Sequence, residues 1–366
     1  MKICLVSVNA NQGAGLGRMV LNISEEFKNQ NFEVGFIYSE GDFKGEKLLI
    51  DFYTRNLFTA IKNIFLIAKY FKKYDYILCF DIKPVGLYVV IASILANKKY
   101  FLHCVGTYSL PSENDGLIKR NIINIVYKLS AKTFMLSSVV LKEFARRTKL
   151  KSVQSKILHP GVNSDIFFTD SSDKKYSSFN SKYILSVGEV KSRKGHDIAV
   201  KAFHNISKKY ADLKYVIVGR KVSNPFTKNL DKYISDNNLK DKILFLENVD
   251  DIGLRQLYSN AEFFLMPSIT TENYVEGFGI VYLEAALTGI TSIGCFGTGA
   301  EDAILDMETG KLCEQTVEGV SAAMNFLLEN TQLRNDMAIK AQLRAQTFTW
   351  EAVVNDYKQE FLVSSK

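Results

Sequence analysis

A chain of 366 residues, 47% hydrophobic and 23% charged, is too long for one ordinary domain and apolar enough to bury two cores. No apolar run approaches the roughly 18 residues that span a bilayer, the longest lying near Val85 to Ala96. Met1-Lys2-Ile3 leads into a strand-like run without a signal-peptide pattern, so a cytoplasmic protein is expected.

The net charge of +7 is unevenly spread: residues 1–168 carry 23 Lys and Arg against 13 Asp and Glu, and the remainder 23 against 26. The basic excess therefore belongs to the first half. Five scattered cysteines and four dispersed histidines show no paired metal spacing, which predicts reduced core thiols and no metal site.

In chain order, the apolar run 2–8 reads as a buried parallel strand, followed by a glycine loop (Gly13, Gly15, Gly17, Arg18) and a helical pattern through Val20, Leu21, Ile23 and Phe27. Strand-like runs follow at Glu33 to Tyr38, Tyr76 to Phe80, Tyr100 to Val105 and Thr133 to Leu136, with helical stretches between them. The alternation implies a parallel sheet with helices on both faces.

Residues 169–182 are polar and Ser-rich, the best linker candidate. The pattern restarts with a strand at Tyr183 to Val187, a helix from about His196, strands at Lys214 to Gly219, Ile243 to Leu246 and Phe263 to Met266, and a helical tail from Thr316. The fold class expected is α/β, with a first domain over 1–168, a second over 183–349, and a last helix over about 350–366 returning to the first. That last helix carries an apolar stripe of Val353, Val354, Tyr357 and Phe361.

Chemistry concentrates in Glu276-Gly277-Phe278-Gly279 and the run Ile280 to Leu287, closed by Gly289. The glycines read as a turn feeding a short helix that is apolar on both sides, which puts Glu284 on a buried helix. An unpaired buried carboxylate costs several kcal/mol, so Glu284 needs a dedicated partner, for which a pair of ligand hydroxyls is one candidate. Glu276 sits where helix-terminal N–H groups and the positive dipole end gather. Two acids around an anion-friendly turn suggest a sugar nucleotide; the alternative is a capping Glu276 and a Glu284 paired with a core Arg or Lys. Arg193 and Lys194 follow the first strand of the second half, where open α/β sheets bind ligands, and are suited to a diphosphate.

Taken together, Gly188 to Gly195, Val216 to Gly219, Leu257 to Ala261, Met266 to Ser268, Glu276 to Glu284, Gly297 to Glu301 and Thr309-Gly310 resemble the retaining family-4 glycosyltransferases of the GT-B fold. In the first half the likeness rests on Gly13 to Arg18, Gly106-Thr107-Tyr108, and His159 to Asn163 with Asp165 and Phe167. The E-x7-E pair is its most specific element.

The resemblance implies two Rossmann-like domains facing a central cleft, with the acceptor held by the first. It implies that Glu284 binds the nucleotide ribose and Glu276 the donor sugar. The amides of Gly277, Phe278, Gly279 and Ile280 would contact sugar and phosphate, with Gly188 and Leu283 beside them. Lys194 and Arg193 would neutralise the diphosphate. No cofactor and no metal are implied, the donor being a UDP- or GDP-sugar. On the acceptor side it points to Gly15, Gly17, Gly106 and Thr107.

Two positions depart from the pattern: Glu189 stands where the family often has Arg, and Val105 where a sugar-contacting histidine precedes Gly-Thr. His103, two residues back, would face the same side of the strand and is counted on the acceptor side, the alternative being a satisfied core histidine.

Residues 55–73 hold Arg55, Lys62, Lys69, Lys72 and Lys73 with no acid, interleaved with apolar residues. Such a basic amphipathic helix suits an anionic membrane surface, consistent with a peripheral protein at the inner face of the membrane. A packed helix with a solvated lysine edge is the plain alternative. No nucleic-acid module is present. The function expected is retaining transfer of a sugar to a glycan or lipid-linked glycan of a bacterial-type surface polysaccharide (lipopolysaccharide, O-antigen or capsule). Rival readings are a sugar-nucleotide epimerase of the same architecture and a catalytically silent nucleotide-sugar-binding subunit.

Overall fold

The computed structural model describes residues 1–11, 15–112, 114–150, 153–169 and 181–364. The chain forms two units, Met1–Gly161 with Trp350–Lys366, and Val162–Thr349.

Strands in both units are wholly parallel, as their apolar runs demand: a strand covered by helices on both faces has no polar side to show. In the first unit the sheet order is Glu46–Leu49, Glu33–Tyr38, Lys2–Val6, Tyr76–Cys79, Tyr100–Cys104, Lys132–Met135, Ser155–Ile157. The chain first builds outward to one side of Lys2–Val6 and then to the other, so the order reverses between Lys2–Val6 and Tyr76–Cys79. In the second unit the order is Ile243–Leu246, Lys214–Val218, Tyr183–Val187, Phe264–Leu265, Ser292–Cys295, Gly310–Cys313, reversing between Tyr183–Val187 and Phe264–Leu265. Each reversal leaves a crevice at the strands' carboxyl ends, the place where open α/β sheets take ligands.

Helices begin where sequence chemistry starts them. Asn224 caps Pro225–Asp236 in a capping box with Thr227, with Pro225 in the first turn; Asn56, Ser137, Asp250 and Thr316 each cap a helix through a side-chain oxygen. The edge strands Glu46–Leu49 and Ser155–Ile157 were not expected, because their mostly exposed residues carry no apolar run.

The first unit closes with a helix from the far end of the chain. Trp350–Ser364 packs on Gly15–Asn29 and buries Val353, Val354, Tyr357 and Phe361. The Phe361 ring lies 4.5 Å from that of Phe101 and 4.7 Å from that of Tyr76, and Tyr357 lies 4.7 Å from Phe134. Lys156–Asp356 at 2.7 Å and Lys132–Glu360 at 3.1 Å rim this contact.

The division between units corrects the expected boundary at 168, because residues 162–169 go with the second unit. Val162 N–H donates to the Phe348 carbonyl at 2.9 Å, the Thr169 hydroxyl donates to the Thr288 carbonyl at 3.0 Å, and Phe167 lies against Tyr258. Thr169 is buried, and of the linker expected over 169–182 residues 170–180 lie outside the described residues. All five cysteines are buried and free. No helix among the described residues is long and apolar enough to cross a membrane.

Truncating Phe361 to Ala removes a large side chain from a ring cluster that the sheet cannot refill. Phe361→Ala is expected to cost about 3–5 kcal/mol, read as a lower denaturant midpoint for the first unit.

Candidate nucleotide-sugar site

Strand Tyr183–Val187 ends at Gly188, whose φ of +146° turns the chain away from the sheet. The following Ser192–Lys194 forms one 3-10 turn closed by Gly195 at φ +70°. A Cβ on Gly195 would lie 1.8 Å from the Pro267 carbonyl oxygen, so only glycine lets this turn meet the loop that follows Phe264–Leu265. Ile269 N–H donates to the Arg193 carbonyl at 2.9 Å and fastens the two loops. The two cations of that turn thereby stand at the sheet's switch point.

Glu276 meets them there. Its Oε2 lies 2.8 Å from Lys194 Nζ and 2.9 Å from Arg193 Nη1, with the Ser268 hydroxyl donating at 3.4 Å. Glu276 is 8% exposed. Burial pushes its pKa up, but Lys194 and then Arg193 outweigh burial and hold it below the ordinary 4.5. Lys194 is itself drawn below its ordinary value, first by burial and then by Arg193 and Lys191, against the pull of Glu276. The two shifts agree in meaning: one carboxylate does not neutralise two cations, so the cluster keeps a positive excess. His196 adds no charge at neutral pH, because burial, and then Lys194, lower its pKa to about 4.

Glu276 leads into Gly277-Phe278-Gly279 and the helix Ile280–Leu287, which opens on Gly279 at φ +86° with no side-chain cap. Gly277 and Phe278 are buried, and the Glu276 carbonyl accepts from Gly299 N–H at 3.0 Å. The helix is enclosed as its all-round apolar sequence predicts, with Tyr282 through Leu287 buried and Leu283 in the core. Glu284 is 6% exposed and its Oε2 accepts a hydrogen bond from the Tyr258 hydroxyl at 3.1 Å. Glu276 is thus the acid paired with Arg193 and Lys194.

Glu189, the departure from the family pattern, is bound by Lys191 at 2.7 Å and Arg220 at 3.1 Å. Burial raises its pKa, but these two cations bring it below the ordinary value. A negative charge introduced at the strand end is compensated locally and leaves Arg193 and Lys194 to Glu276.

In the first unit, Gly15 begins the helix Gly15–Asn29 and is exposed, whereas Gly17 is buried with its Cα against the Asn11 backbone. Residues 12–14 of that loop lie outside the described residues. Gly106 and Thr107 open a turn in which the Gly106 carbonyl accepts from Ser109 and Leu110 N–H.

His103, counted on the acceptor side, lies next to the end of its strand but is enclosed in the core. It is 1% exposed, with Nδ1 paired to the Tyr357 hydroxyl and the ring among Phe80, Phe134 and Tyr357; burial lowers its pKa to about 3. The last helix covers the side of the strand that His103 faces, which makes it a core residue. Asp81 escaped the sequence reading. It is 2% exposed, and its Oδ2 accepts from the Ser7 hydroxyl at 2.6 Å and Val8 N–H at 2.8 Å, tying together the two strand ends at the first unit's switch point. The available signal was an acid closing the apolar run 76–80. Among the described residues no group of three or more His, Cys, Asp or Glu is placed to hold a metal.

Parallel doubly wound units of this order are the GT-B fold. Over its full length the chain superposes on the Anabaena protein Alr3699/HepE, solved in complex with UDP and glucose, with a TM-score of 0.82 at 17% identity and all of both chains covered. Residues 168–344 match the family Glycosyl transferases group 1. An uncharacterized glycosyltransferase of Haemophilus influenzae is 24% identical over 98% of this chain and 99% of its own. A GDP-mannose-dependent alpha-(1-6)-phosphatidylinositol monomannoside mannosyltransferase of Mycolicibacterium smegmatis is 27% identical over 50% of this chain and 49% of its own. The chain therefore spans nearly all of the first relative and about half of the second.

Because the folded pKa of Glu276 is depressed, its ion pairs stabilise the protein above the unfolded value near 4.5 and are lost as pH falls through the lower folded value. Glu276→Gln is expected to melt at a lower temperature than wild type near pH 7, with the gap closing below about pH 4.5, as followed by scanning fluorimetry across pH.

Proposed function

We propose that this protein transfers a sugar, with retention and without a metal, from a UDP- or GDP-sugar to a glycan or lipid-linked glycan in bacterial-type surface polysaccharide synthesis. In this reading it works in the cytoplasm at the inner face of the membrane, with the basic helix around residues 55–73 against anionic lipid. The observation that carries the proposal is the positive excess of Arg193 and Lys194 around one oxygen of Glu276 at a switch point.

Breaking the sugar–phosphate bond leaves charge on the nucleotide diphosphate. A cation about 4 Å from a phosphate oxygen is worth about 4 kcal/mol at an effective dielectric near 20, and a fixed cation needs no reorganisation as charge develops. Arg193 and Lys194 supply two such cations, and the uncapped start of Ile280–Leu287 adds helix-terminal amides.

Glu276 is a poor nucleophile in this setting, since its cation partners lower its basicity. Its contacts all fall on Oε2, so the role proposed for Oε1 is to accept a donor-sugar hydroxyl. Glu284, buried beside the Tyr258 hydroxyl, is assigned the ribose hydroxyls. The acceptor hydroxyl attacks the face the diphosphate leaves, through an oxocarbenium-like state, and passes its proton to the departing phosphate. The similar Mycolicibacterium smegmatis mannosyltransferase has a phosphatidylinositol mannoside in its name, which favours a lipid-linked acceptor here.

A thermal-shift screen against UDP-, GDP- and ADP-sugars is expected to single out one donor, by mass action on the folded state. With that donor, Glu276→Ala and Lys194→Ala are expected to lower kcat on the order of a hundredfold and Glu284→Ala to weaken nucleotide affinity. Unchanged turnover in both glutamate variants would overturn the assignment. Interconversion of the donor without an acceptor would identify an epimerase, and a thermal shift with no turnover a silent binder.

A further inference from the structure

Three successive helices of the first unit, Leu57–Phe71, Gly86–Ala96 and Leu117–Lys128, pack side by side in that order. Each returns antiparallel to the strand before it, so each begins at the edge where the strands end, the edge that carries Asp81 and the Gly106 turn.

Their outer faces carry large apolar side chains where a surface helix is normally polar. On the first, Leu57, Phe58, Ile61 and Phe65 recur at helical spacing and are exposed, Phe58 by 85%. The middle helix, GLYVVIASILA, has no charged side chain at all, a composition suited to burial, yet Leu87, Ile94 and Leu95 stand in solvent. The third opens with Leu117 and Ile118, exposed by 81% and 80%. Isolated exposed apolar side chains need no explanation; three adjoining helices that all present them form a surface that water disfavours.

Charge decides what covers it. Arg55, Lys62, Lys69 and Lys72 on or beside the first helix make no ion pair among the described residues, and residues 55–73 contain no acid. Asp115, next to the third helix, is already held by Lys83 at 2.9 Å and Lys119 at 2.7 Å. A second copy of this chain would bring like charges together across the apolar face, whereas an anionic bilayer takes both the apolar side chains and the lysines.

We propose that this three-helix face docks on an anionic bilayer, Phe58, Leu117 and Ile118 entering the headgroup boundary and the lysines meeting the lipid phosphates. The strand-end edge of the first unit is then held at the lipid surface. That the molecule met there is a lipid-linked acceptor rests on the transfer reading above.

The full chain is floated with vesicles of phosphatidylcholine, alone or with about a third phosphatidylglycerol. Wild type is expected to float with the anionic vesicles and to be released by about 0.5 M salt. The double variants Phe58→Ser with Leu117→Ser, and Lys62→Glu with Lys69→Glu, are expected to lower the bound fraction about tenfold, with melting temperature and donor response unchanged.

Absence of wild-type flotation, or variants that float like wild type, would overturn the proposal. So would a dimer in sedimentation velocity that the apolar variant dissolves while vesicles bind neither protein. A protein that floats but responds to no nucleotide sugar would keep this surface and sink the transfer reading; a donor response without flotation would do the reverse.

Discussion

Lys194 at 2.8 Å and Arg193 at 2.9 Å share a single oxygen of Glu276, and much of the second unit is arranged so that this contact can form. The cations come from the loop after one strand and the acid from the segment that enters a buried helix. They meet because Gly195 lets one loop rest on the Pro267 carbonyl. Without the acid, two positive charges would sit in a poorly solvated crevice. Without the cations, a carboxylate with 8% exposure would be driven to protonate. The three groups are mutually dependent, and their imbalance of one positive charge is a standing preference for an anion.

The two units solve the same topological problem with opposite electrostatics. In the second, the switch point gathers Arg193 and Lys194. In the first, it is bridged by Asp81, whose carboxylate is bound to the Ser7 hydroxyl and the Val8 amide. Burial raises the Asp81 pKa while those two hydrogen bonds lower it, so the acid is anchored by neutral donors and no cation is committed to it. An anion suits the crevice of the second unit better than that of the first.

Strands in the middle of each sheet were legible because burial on both faces writes them as apolar runs, and Ile243–Leu246 and Glu33–Tyr38 fall at the expected residues. The Glu276–Glu284 segment was legible for a related reason: charge inside an apolar helix is costly enough to stand out. Edge strands, half exposed, carry no such signature. The pairing of Glu276 with Arg193 and Lys194 spans more than eighty residues and comes from the tight meeting of two loops, which no local pattern records. His103 stayed open between site and core because alternation along a strand says which side a residue faces but not what covers that side, and here it is a helix from the other end of the chain. Asp81 was missed because one acid at the end of an apolar run also reads as the start of a loop.

That far helix has a bearing on how the protein is made. The second unit is one continuous stretch, Val162–Thr349, whereas the first is interrupted by it and ends with Trp350–Lys366. Phe361 packs against Phe27 and Phe101, residues that leave the ribosome long before it, and Lys358 reaches back to Gln30 across 328 positions. The unit synthesised first therefore waits longest to be completed, while the unit inserted into it can close on its own contacts beforehand. Until the last helix arrives, the aromatic floor formed by Tyr76, Phe101 and Phe134 lacks its cover.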